Sequence, residues 1–242
     1  GKQSIWQDAL RMRDSKERIC RHTLTGRTTH KVCPMNYNCS RCEFDQYFED
    51  AIGPMTGPGA VHVENVKGFA VADGYYFHDG HTWAVIESGG VIRIGLDDFS
   101  MKVLGSPDGF ELPLTGQELN ADKAGFGLKC KDNLADVLSP VNGIITQVNP
   151  DIRKTAAMAG DDPYGSGWLF TIHNSDIKGE FKTLITGDDS IEWIDSEIST
   201  LEGMIEKEAG PLATDGGVLM ADVYGNLPSL GWNNLTRTFL GT

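Results

Sequence analysis

The sequence predicts a mainly β protein with flanking helices and a small, helical, cysteine-rich module at the N-terminus. The 29 Gly and ten Pro among 242 residues indicate many turns, because turns require these residue types more often than other structures do. From residue 68 onward, short apolar runs alternate with Gly, Asp, Asn and Pro, which is typical of strands joined by tight loops. Four of the five cysteines, in contrast, fall between residues 20 and 42.

Composition and net charge argue against two broad classes of protein. Hydrophobic residues form 40% of the chain, which is enough to build a core at this length. No window approaches the run of about 18 apolar residues that a membrane-spanning helix needs, so no membrane insertion is expected. The formal net charge of −13 disfavours a nucleic-acid backbone or an anionic membrane as the main partner.

Charge is distributed unevenly along the chain. Residues 1–42 contain nine Lys or Arg against three acids, whereas the remaining residues contain 12 bases against 31 acids. Opposite charge in two segments predicts two modules. The basic segment is compatible with nucleic-acid contact, but charges around a cysteine cluster more often form a solvated face, so nucleic acid is not an expected partner.

The clustered cysteines predict a metal site. Cys20, Cys33, Cys39 and Cys42 follow the spacing C-x12-C-x5-C-x2-C, and the two thiols of a C-x2-C turn converge on one ion. Zinc is the expected metal, because thiolates suit it and it needs no redox chemistry. An iron–sulfur cluster uses the same four ligands and is an alternative, as are disulfides or free thiols. Since no secretion signal is visible and the cysteines are of the metal-binding type, a cytoplasmic location is expected.

Helices are expected on both sides of the cysteine cluster. Residues 4–19 show the apolar spacing of an amphipathic helix, and residues 43–51 read as a short helix that leaves the C-x2-C turn. A stretch rich in Gly and Pro over residues 53–59 then interrupts regular structure. The predicted organisation is a module over residues 1–52 followed by a linker over residues 53–67.

Short strands are expected after the linker. Thr82–Ile86 and Val91–Ile94 flank residues 87–90, whose Glu-Ser-Gly-Gly sequence indicates a hairpin. Residues 144–148 and 169–173 are further apolar runs of strand length. These segments predict an antiparallel β domain.

Helical spacing returns in the second half of the chain. Residues 97–104 read as a helical turn, and the acidic residues 190–208 carry apolar residues at the spacing of an amphipathic helix. The β domain is therefore predicted over residues 68–208, followed by an extension over residues 209–242. The extension ends with large apolar residues that predict docking onto the domain: Trp232, Leu235, Phe239 and Leu240.

Seven short pieces of the sequence occur in an order and spacing shared with one family. They are His81-Thr82-Trp83, Ile94-Gly95-Leu96-Asp97-Asp98-Phe99, Leu104-Gly105, Leu112-Pro113 with Gly116, Ser139-Pro140-Val141-Asn142-Gly143, Asn149, and Asp162-Pro163-Tyr164-Gly165-Ser166-Gly167-Trp168. Over residues 75–175, less than half of the chain, the sequence resembles the H protein of the glycine cleavage system. The resemblance implies a barrel-sandwich hybrid of the lipoyl/biotinyl type, in which two small antiparallel sheets fold over one core and a C-terminal helix follows.

The resemblance also implies where a lipoyl group would be attached, and the lysine is missing there. Family members carry lipoamide on a lysine at a hairpin tip, within Glu-Ser-Val-Lys-Ala, and the register between Leu112 and Ser139 needs no gap. The modified lysine then corresponds to Asp132 and the glutamate to Lys129. Because a carboxylate cannot form an amide with lipoate, lipoate is not expected at Asp132. Lys131, one residue away, is the alternative lipoylation site.

Cys130 is a candidate reactive thiol. It lies between Lys129 and Lys131, and at an exposed tip two neighbouring cations would lower the pKa of a thiol. A lone cysteine is more often a small buried apolar residue, and that alternative stays open.

Three functions are compatible with these observations. The favoured one is a non-lipoylated H-protein-like module that binds or regulates a protein partner. The others are a lipoyl carrier modified at Lys131, and an interaction protein centred on the metal module with the β domain as its scaffold. No nucleophile–base motif or glycine-rich phosphate loop is present, so the chain is not expected to be an enzyme. The resemblance implies glycine-cleavage-type enzymes as partners, and a redox complex is a further possibility.

Overall fold

The structure is a computed structural model, and it describes residues 14, 18–20, 23, 31–37, 42–44, 61–87, 91–174, 177–210 and 221–242. The chain divides into two units. The first comprises residues 1–58 with residues 88–90, and the second comprises residues 59–87 with residues 91–242.

In the first unit, two short segments pair in antiparallel fashion. Ile19 forms a bridge with Val32, and the N–H of Cys20 donates to the carbonyl oxygen of Lys31 at 2.7 Å. Residues 34–37 then form a turn. The first unit thus contains a short β ladder followed by a turn.

The two helices predicted for this unit lie largely outside the described residues. The prediction of a helix over residues 4–19 is wrong at its C-terminal end, because Ile19 is extended and pairs with Val32. Backbone pairing overrides the apolar spacing there. Glu43 and Phe44 are helical, as predicted for the start of the helix over residues 43–51.

The second unit is built on three antiparallel sheets. Its strands are β1 (Val63–Val66), β2 (Phe69–Ala72), β3 (Tyr76–Phe77), β4 (Thr82–Ile86), β5 (Val91–Leu96), β6 (Gly109–Glu111), β7 (Glu118–Leu119), β8 (Ala124–Cys130), β9 (Asn133–Leu138), β10 (Gly143–Val148), β11 (Phe170–His173) and β12 (Ile185–Thr186). The main sheet has the order β12-β3-β4-β5-β11-β10-β7, a second sheet has the order β6-β8-β9, and β1 pairs with β2. This architecture confirms the predicted mainly β class with flanking helices.

Helices lie between and after the strands. They are α1 (Asp98–Leu104), α2 (Met158–Asp161), α3 (Ile177–Glu180), α4 (Asp188–Ala209), α5 (Val223–Asn226) and α6 (Trp232–Leu235), together with 3-10 turns over Phe181–Thr183 and Pro228–Leu230 and a π-helical segment over Thr236–Leu240. Helix α1 begins at its N-cap, where the Asp97 carboxylate accepts from the N–H of Ser100 at 2.8 Å. None of the described helices is both long and apolar enough to cross a membrane.

One apolar core joins the strands, helix α4 and the C-terminal segment of the second unit. Helix α4 buries Ile194, Ile198 and Leu201 on one face, as its apolar spacing predicts. The large residues of the extension are buried as well, with Leu235 and Leu240 fully inaccessible to solvent. Within the described residues 221–242, the large apolar residues of the extension therefore pack in the core of the second unit.

The hairpin predicted from residue 82 onward is confirmed, and its second strand is longer than expected. Strands β4 and β5 pair from Thr82 opposite Leu96 to Ile86 opposite Ile92. The predicted linker is wrong at its C-terminal end, because residues 63–66 form β1 and pair with β2. The side chains of β1 are mostly exposed, so this strand lacks the apolar alternation by which a strand is detected in sequence.

Candidate functional site

The hairpin of β8 and β9 ends in a two-residue tip made of Lys131 and Asp132. Cys130 and Asn133 form the last cross-strand pair, and both tip residues are exposed. The φ angle of Lys131 is 54°, in the left-handed region that Gly, Asn and Asp adopt more readily than Lys. The structure thus places Asp132, the predicted equivalent of the lipoyl lysine, at the end of an exposed hairpin.

Two aspartates from other parts of the second unit contact Lys131. Its backbone N–H donates to the carboxylate of Asp108, and its ammonium lies 3.9 Å from the carboxylate of Asp222. The exposed fractions of the Lys131 and Asp222 side chains are 67% and 44%, so their ion pair is weak. The contact with Asp108 fixes the uncommon backbone conformation at the tip.

Cys130 does not lie at the exposed tip, so the hypothesis of a reactive thiol is wrong in its premise. Only 3% of the residue is accessible, and its thiol points to the carbonyl oxygen of Gly105 at 3.8 Å. Burial, followed by the nearby carboxylates of Asp108 and Asp222, raises the pKa of the Cys130 thiol to about 12. The opposing influence of Lys131 is smaller. A thiol in this setting is protonated and inert at neutral pH.

The outer edge of β9 is covered by side-chain donors. The indole N–H of Trp232 donates to the carbonyl oxygen of Leu134 at 3.1 Å, and the hydroxyl of Thr242 donates to that of Asp136 at 2.8 Å. The hydroxyl of Thr82 donates to the carbonyl oxygen of Leu138 at 3.3 Å. Because β9 is the edge strand of its sheet, these donors satisfy carbonyls that would otherwise be open to another strand.

A second polar group, His81, lies in the core of the domain. His81 and Asp97 are both completely buried, and the Nδ1 of the imidazole is 2.7 Å from the Asp97 carboxylate. The ring stacks between Phe99 and Trp193, with centroid distances of 4.5 and 4.8 Å. Its Nε2 is 3.6 Å from Glu197 and makes no hydrogen bond.

The electrostatic setting of His81 favours its charged form. Burial is the largest single influence and opposes the imidazolium, but the charge and hydrogen bond of Asp97 and the contact with Glu197 together outweigh it. They raise the pKa of His81 to about 9. His81 is thus a charged link between the first turn of α1 and helix α4, and its setting favours a structural role.

The predicted metal ligands are described in part. Cys20 and Cys33 are buried, Cys42 is partly exposed, and all three are free of disulfide bonds. Cys39 lies outside the described residues. Among the residues that the structure describes, no group of three His, Cys, Asp or Glu side chains is gathered closely enough to hold an ion.

The sequence analysis did not identify three acidic residues that contact the hairpin tip or His81. Asp108 and Asp222 contact the tip, and Glu197 faces His81, yet each lies far along the chain from its partner. No local pattern around an isolated acid distinguishes such a contact from ordinary surface charge.

The antiparallel fold and the exposed two-residue hairpin tip define a domain of the lipoyl type. A family model described as "Glycine cleavage H-protein" matches residues 75–197, just over half of the chain. The chain belongs to the glycine cleavage H-protein family, with N- and C-terminal extensions. Members of this family are carrier proteins rather than enzymes, and they interact with the glycine cleavage enzymes.

Curated relatives agree with this family match. A probable glycine cleavage system H protein of Aeropyrum pernix is 33% identical over 132 residues, which cover 54% of this chain and 90% of the relative. The glycine cleavage system H protein of Mycobacterium leprae is 34% identical over 97 residues, covering 40% and 74%. A crystal structure of the H protein from Mycobacterium marinum aligns with a TM-score of 0.45 and 23% identity, covering 55% of this chain and 99% of the other.

Proposed function

We propose that this chain is a non-lipoylated H-protein-type module that acts by binding a protein partner. The observation that carries the proposal is the carboxylate of Asp132 at the hairpin tip, in the position that the family resemblance assigns to the lipoyl lysine. Lipoylation joins the lipoyl carboxyl group to an amine, and Asp132 offers none. The chain therefore has the hairpin that carries the lipoyl group in the family but lacks the amine to which lipoate would be attached at this position.

Lys131 is a poor substitute for the missing lysine. Its backbone N–H is held by Asp108 and its ammonium faces Asp222, so both ends of the residue have acidic partners. A lipoate ligase that recognises a lysine at the second position of the tip would meet the ammonium of Lys131 one residue away from that position.

The charge of helix α4 supports a partner with a basic rim. The helix contains eight acids and one Lys, and its apolar face is buried in the domain. Its acidic residues therefore lie on the exposed side or at its margin, where complementary charge steers association. Glycine-cleavage-type enzymes, or a subunit of a redox complex, are the partners we propose.

A second candidate function is lipoyl transport on Lys131. The specific observation in its favour is the 67% exposure of the Lys131 side chain, which leaves the amine within reach of a modifying enzyme. This candidate predicts a lipoyl group on Lys131 of the wild type, whereas the favoured function predicts none.

The experiment is intact-mass measurement after co-expression of the full chain with a lipoate ligase and lipoate. Three proteins are compared: the wild type, Lys131→Arg, and Asp132→Lys as the variant that restores the family's lysine. We expect no added lipoyl group on the wild type or on Lys131→Arg, and one added lipoyl group on Asp132→Lys. A lipoyl group on the wild type that Lys131→Arg abolishes would overturn the proposal and establish the carrier.

A further inference from the structure

The outer face of the sheet β6-β8-β9 exposes a large apolar side chain close to the hairpin tip. Leu134 is 50% exposed, although its backbone is held in β9 opposite Lys129. Because side chains alternate along a strand, Leu134 shares the outer face with Asp136, whereas Ala135 and Val137 are buried on the core side. The side chain of Leu134 is therefore available to a partner.

Glycines on the two neighbouring strands keep the sheet face beside Leu134 low. A Cβ at Gly127 would lie 3.2 Å from the Cδ1 of Leu134, so the leucine side chain lies across the backbone of this glycine. On β6, a Cβ at Gly109 would meet nothing within 4 Å. Glycine within a strand often marks a place where a ligand or another chain approaches closely, and these two leave room for such an approach.

The charges around Leu134 are acidic once the ion pairs are counted. The ammonium of Lys129 lies 2.7 Å from the carboxylate of Glu111, so this lysine extends toward β6 and does not cover Leu134. Asp132 and Asp136 lie two residues before and after Leu134 and are exposed. Neither forms an ion pair with another residue that the structure describes. The face thus presents an apolar side chain between two exposed carboxylates.

A partner cannot reach this face by extending the sheet at β9. The indole of Trp232 and the hydroxyl of Thr242 already donate to the backbone carbonyls of Leu134 and Asp136. These bonds occupy the edge acceptors that an added strand would need, and they leave the side chains of Leu134 and Asp136 on the outer face. Recognition here must therefore use side chains.

The two carboxylates select the chemistry of the partner. A second copy of this chain would bring the same carboxylates together, and each copy carries a formal net charge of −13. A purely apolar surface would remove water from the carboxylates without replacing its hydrogen bonds. Lys or Arg side chains at the rim of an apolar pocket satisfy both the charge and the hydrogen bonding.

We propose that the Leu134 face, comprising Leu134, Gly127, Asp132 and Asp136, binds a protein partner with an apolar pocket rimmed by Lys or Arg. The pocket takes the side chain of Leu134, and the cations pair with Asp132 and Asp136. The inference rests on the proposed function, because it names the surface through which a binding module engages its partner and the chemistry of that partner.

The test is a titration of the isotope-labelled full chain with a short amphipathic peptide of Lys and Leu, followed by amide NMR. We expect the amide signals of Gly127, Lys129 and Leu134 to shift. Leu134→Ser should weaken binding by about tenfold or more. Asp136→Lys should also weaken it and reduce its dependence on salt. Peptides with Ser in place of Leu, or Glu in place of Lys, should bind at least about tenfold more weakly.

The main sheet offers a matched pair of control positions. Ile144 is 51% exposed and lies opposite Glu118, which is also exposed. Ile144→Ser and Glu118→Lys remove the same kinds of group and make the same changes in net charge as the two test variants. Both should leave the affinity for the peptide within about twofold. Circular dichroism of all four variants verifies that they are folded.

Several results would overturn the inference: no binding of the Lys–Leu peptide, shifts confined to helix α4, equal binding of the peptide without Leu, or an affinity that Leu134→Ser leaves unchanged. The intact-mass experiment separates this inference from the proposed function. A lipoylated wild type that shows the expected shifts would overturn the proposed function alone. An unmodified wild type without those shifts would overturn the inference alone.

Discussion

The indole N–H of Trp232 donates a hydrogen bond to the carbonyl oxygen of Leu134, 98 residues earlier in the chain. Leu134 lies in β9, just beyond the hairpin tip, and Trp232 opens α6 in the C-terminal segment. Tyr224 packs edge-on against Trp232, with ring centroids 5.2 Å apart, and its hydroxyl lies 3.4 Å from the side-chain amide of Asn133. The C-terminal extension thus supports the hairpin along the edge of β9.

We expect Trp232→Phe to destabilise the domain by about 1–3 kcal/mol. The substitution keeps an aromatic ring but removes the donor to the carbonyl oxygen of Leu134, and Trp232 is only 7% exposed. The carbonyl oxygen of Leu134 loses its side-chain donor, and the smaller ring leaves part of the space of the indole unfilled. Urea unfolding of the full chain, followed by circular dichroism, measures the change.

Tyr224→Phe is the control for this prediction. It removes a hydroxyl whose hydrogen bond to Asn133 is long, at 3.4 Å, and it keeps the ring against Trp232. Its cost should be below about 0.5 kcal/mol. Equal losses for Trp232→Phe and Tyr224→Phe would mean that the bond to Leu134 contributes nothing specific.

Much of the β domain could be predicted because its apolar patterns are local. Strands β4 and β5 are apolar runs on either side of residues 87–90, and helix α4 repeats apolar residues every three or four positions. The family resemblance, through the register between Leu112 and Ser139, predicts Asp132 at the hairpin tip, where the structure has it. The first two inferences need only neighbouring residues, and the third needs the register that the family resemblance supplies.

The features that escaped prediction depend on contacts between distant segments. The reactive-thiol hypothesis for Cys130 requires an exposed tip, whereas the residue is buried and its thiol contacts the carbonyl oxygen of Gly105 from elsewhere in the domain. The predicted linker includes β1, whose mostly exposed side chains leave no strand pattern in the sequence. The neighbour of His81 on helix α4, Glu197, is a surface acid by every local criterion. The burial of Cys130, the pairing of β1 and the contact of Glu197 with His81 all depend on tertiary packing, which leaves no local pattern in a single sequence.

The stability of the domain should fall as pH rises through the titration of His81. The folded-state pKa of His81 is raised to about 9 from 6.5, so the folded protein binds this proton more tightly than the unfolded chain does. The resulting stabilisation is complete below pH 6.5 and is lost as pH rises towards 9. The difference corresponds to roughly 3 kcal/mol. Unfolding free energies measured across this range test the prediction.

His81→Asn is the matched variant for the pH experiment. Asparagine tolerates the positive φ of this position, 58°, and its amide can still donate to Asp97, but it does not titrate. The variant should lack the fall in stability between pH 6.5 and 9. If the imidazole resonance of His81 itself titrates near 6.5 in the wild type, the raised pKa assigned to His81 is contradicted.

Cys130 should resist alkylation in the folded protein. Its thiol is buried and its pKa is raised to about 12, so the reactive thiolate is scarce at pH 8. Iodoacetamide labelling followed by peptide mass spectrometry should show Cys130 unmodified in buffer and fully modified in denaturant. Rapid labelling under native conditions would restore the idea of a reactive thiol at the hairpin.

Gly95→Ala should destabilise the domain by about 2–3 kcal/mol. Gly95 faces Trp83 across the β4–β5 pair, and a Cβ at residue 95 would lie 2.3 Å from the indole ring. Trp83 is completely buried, and its N–H donates to the carbonyl oxygen of Leu96 at 2.9 Å, so the ring cannot move aside without breaking that bond. Gly203→Ala in α4 meets nothing within 4 Å and should instead stabilise the protein by up to about 1 kcal/mol. Thermal unfolding of the two variants beside the wild type should therefore shift the midpoint in opposite directions, and a shift in the same direction would show that the indole does not lie against the backbone of residue 95.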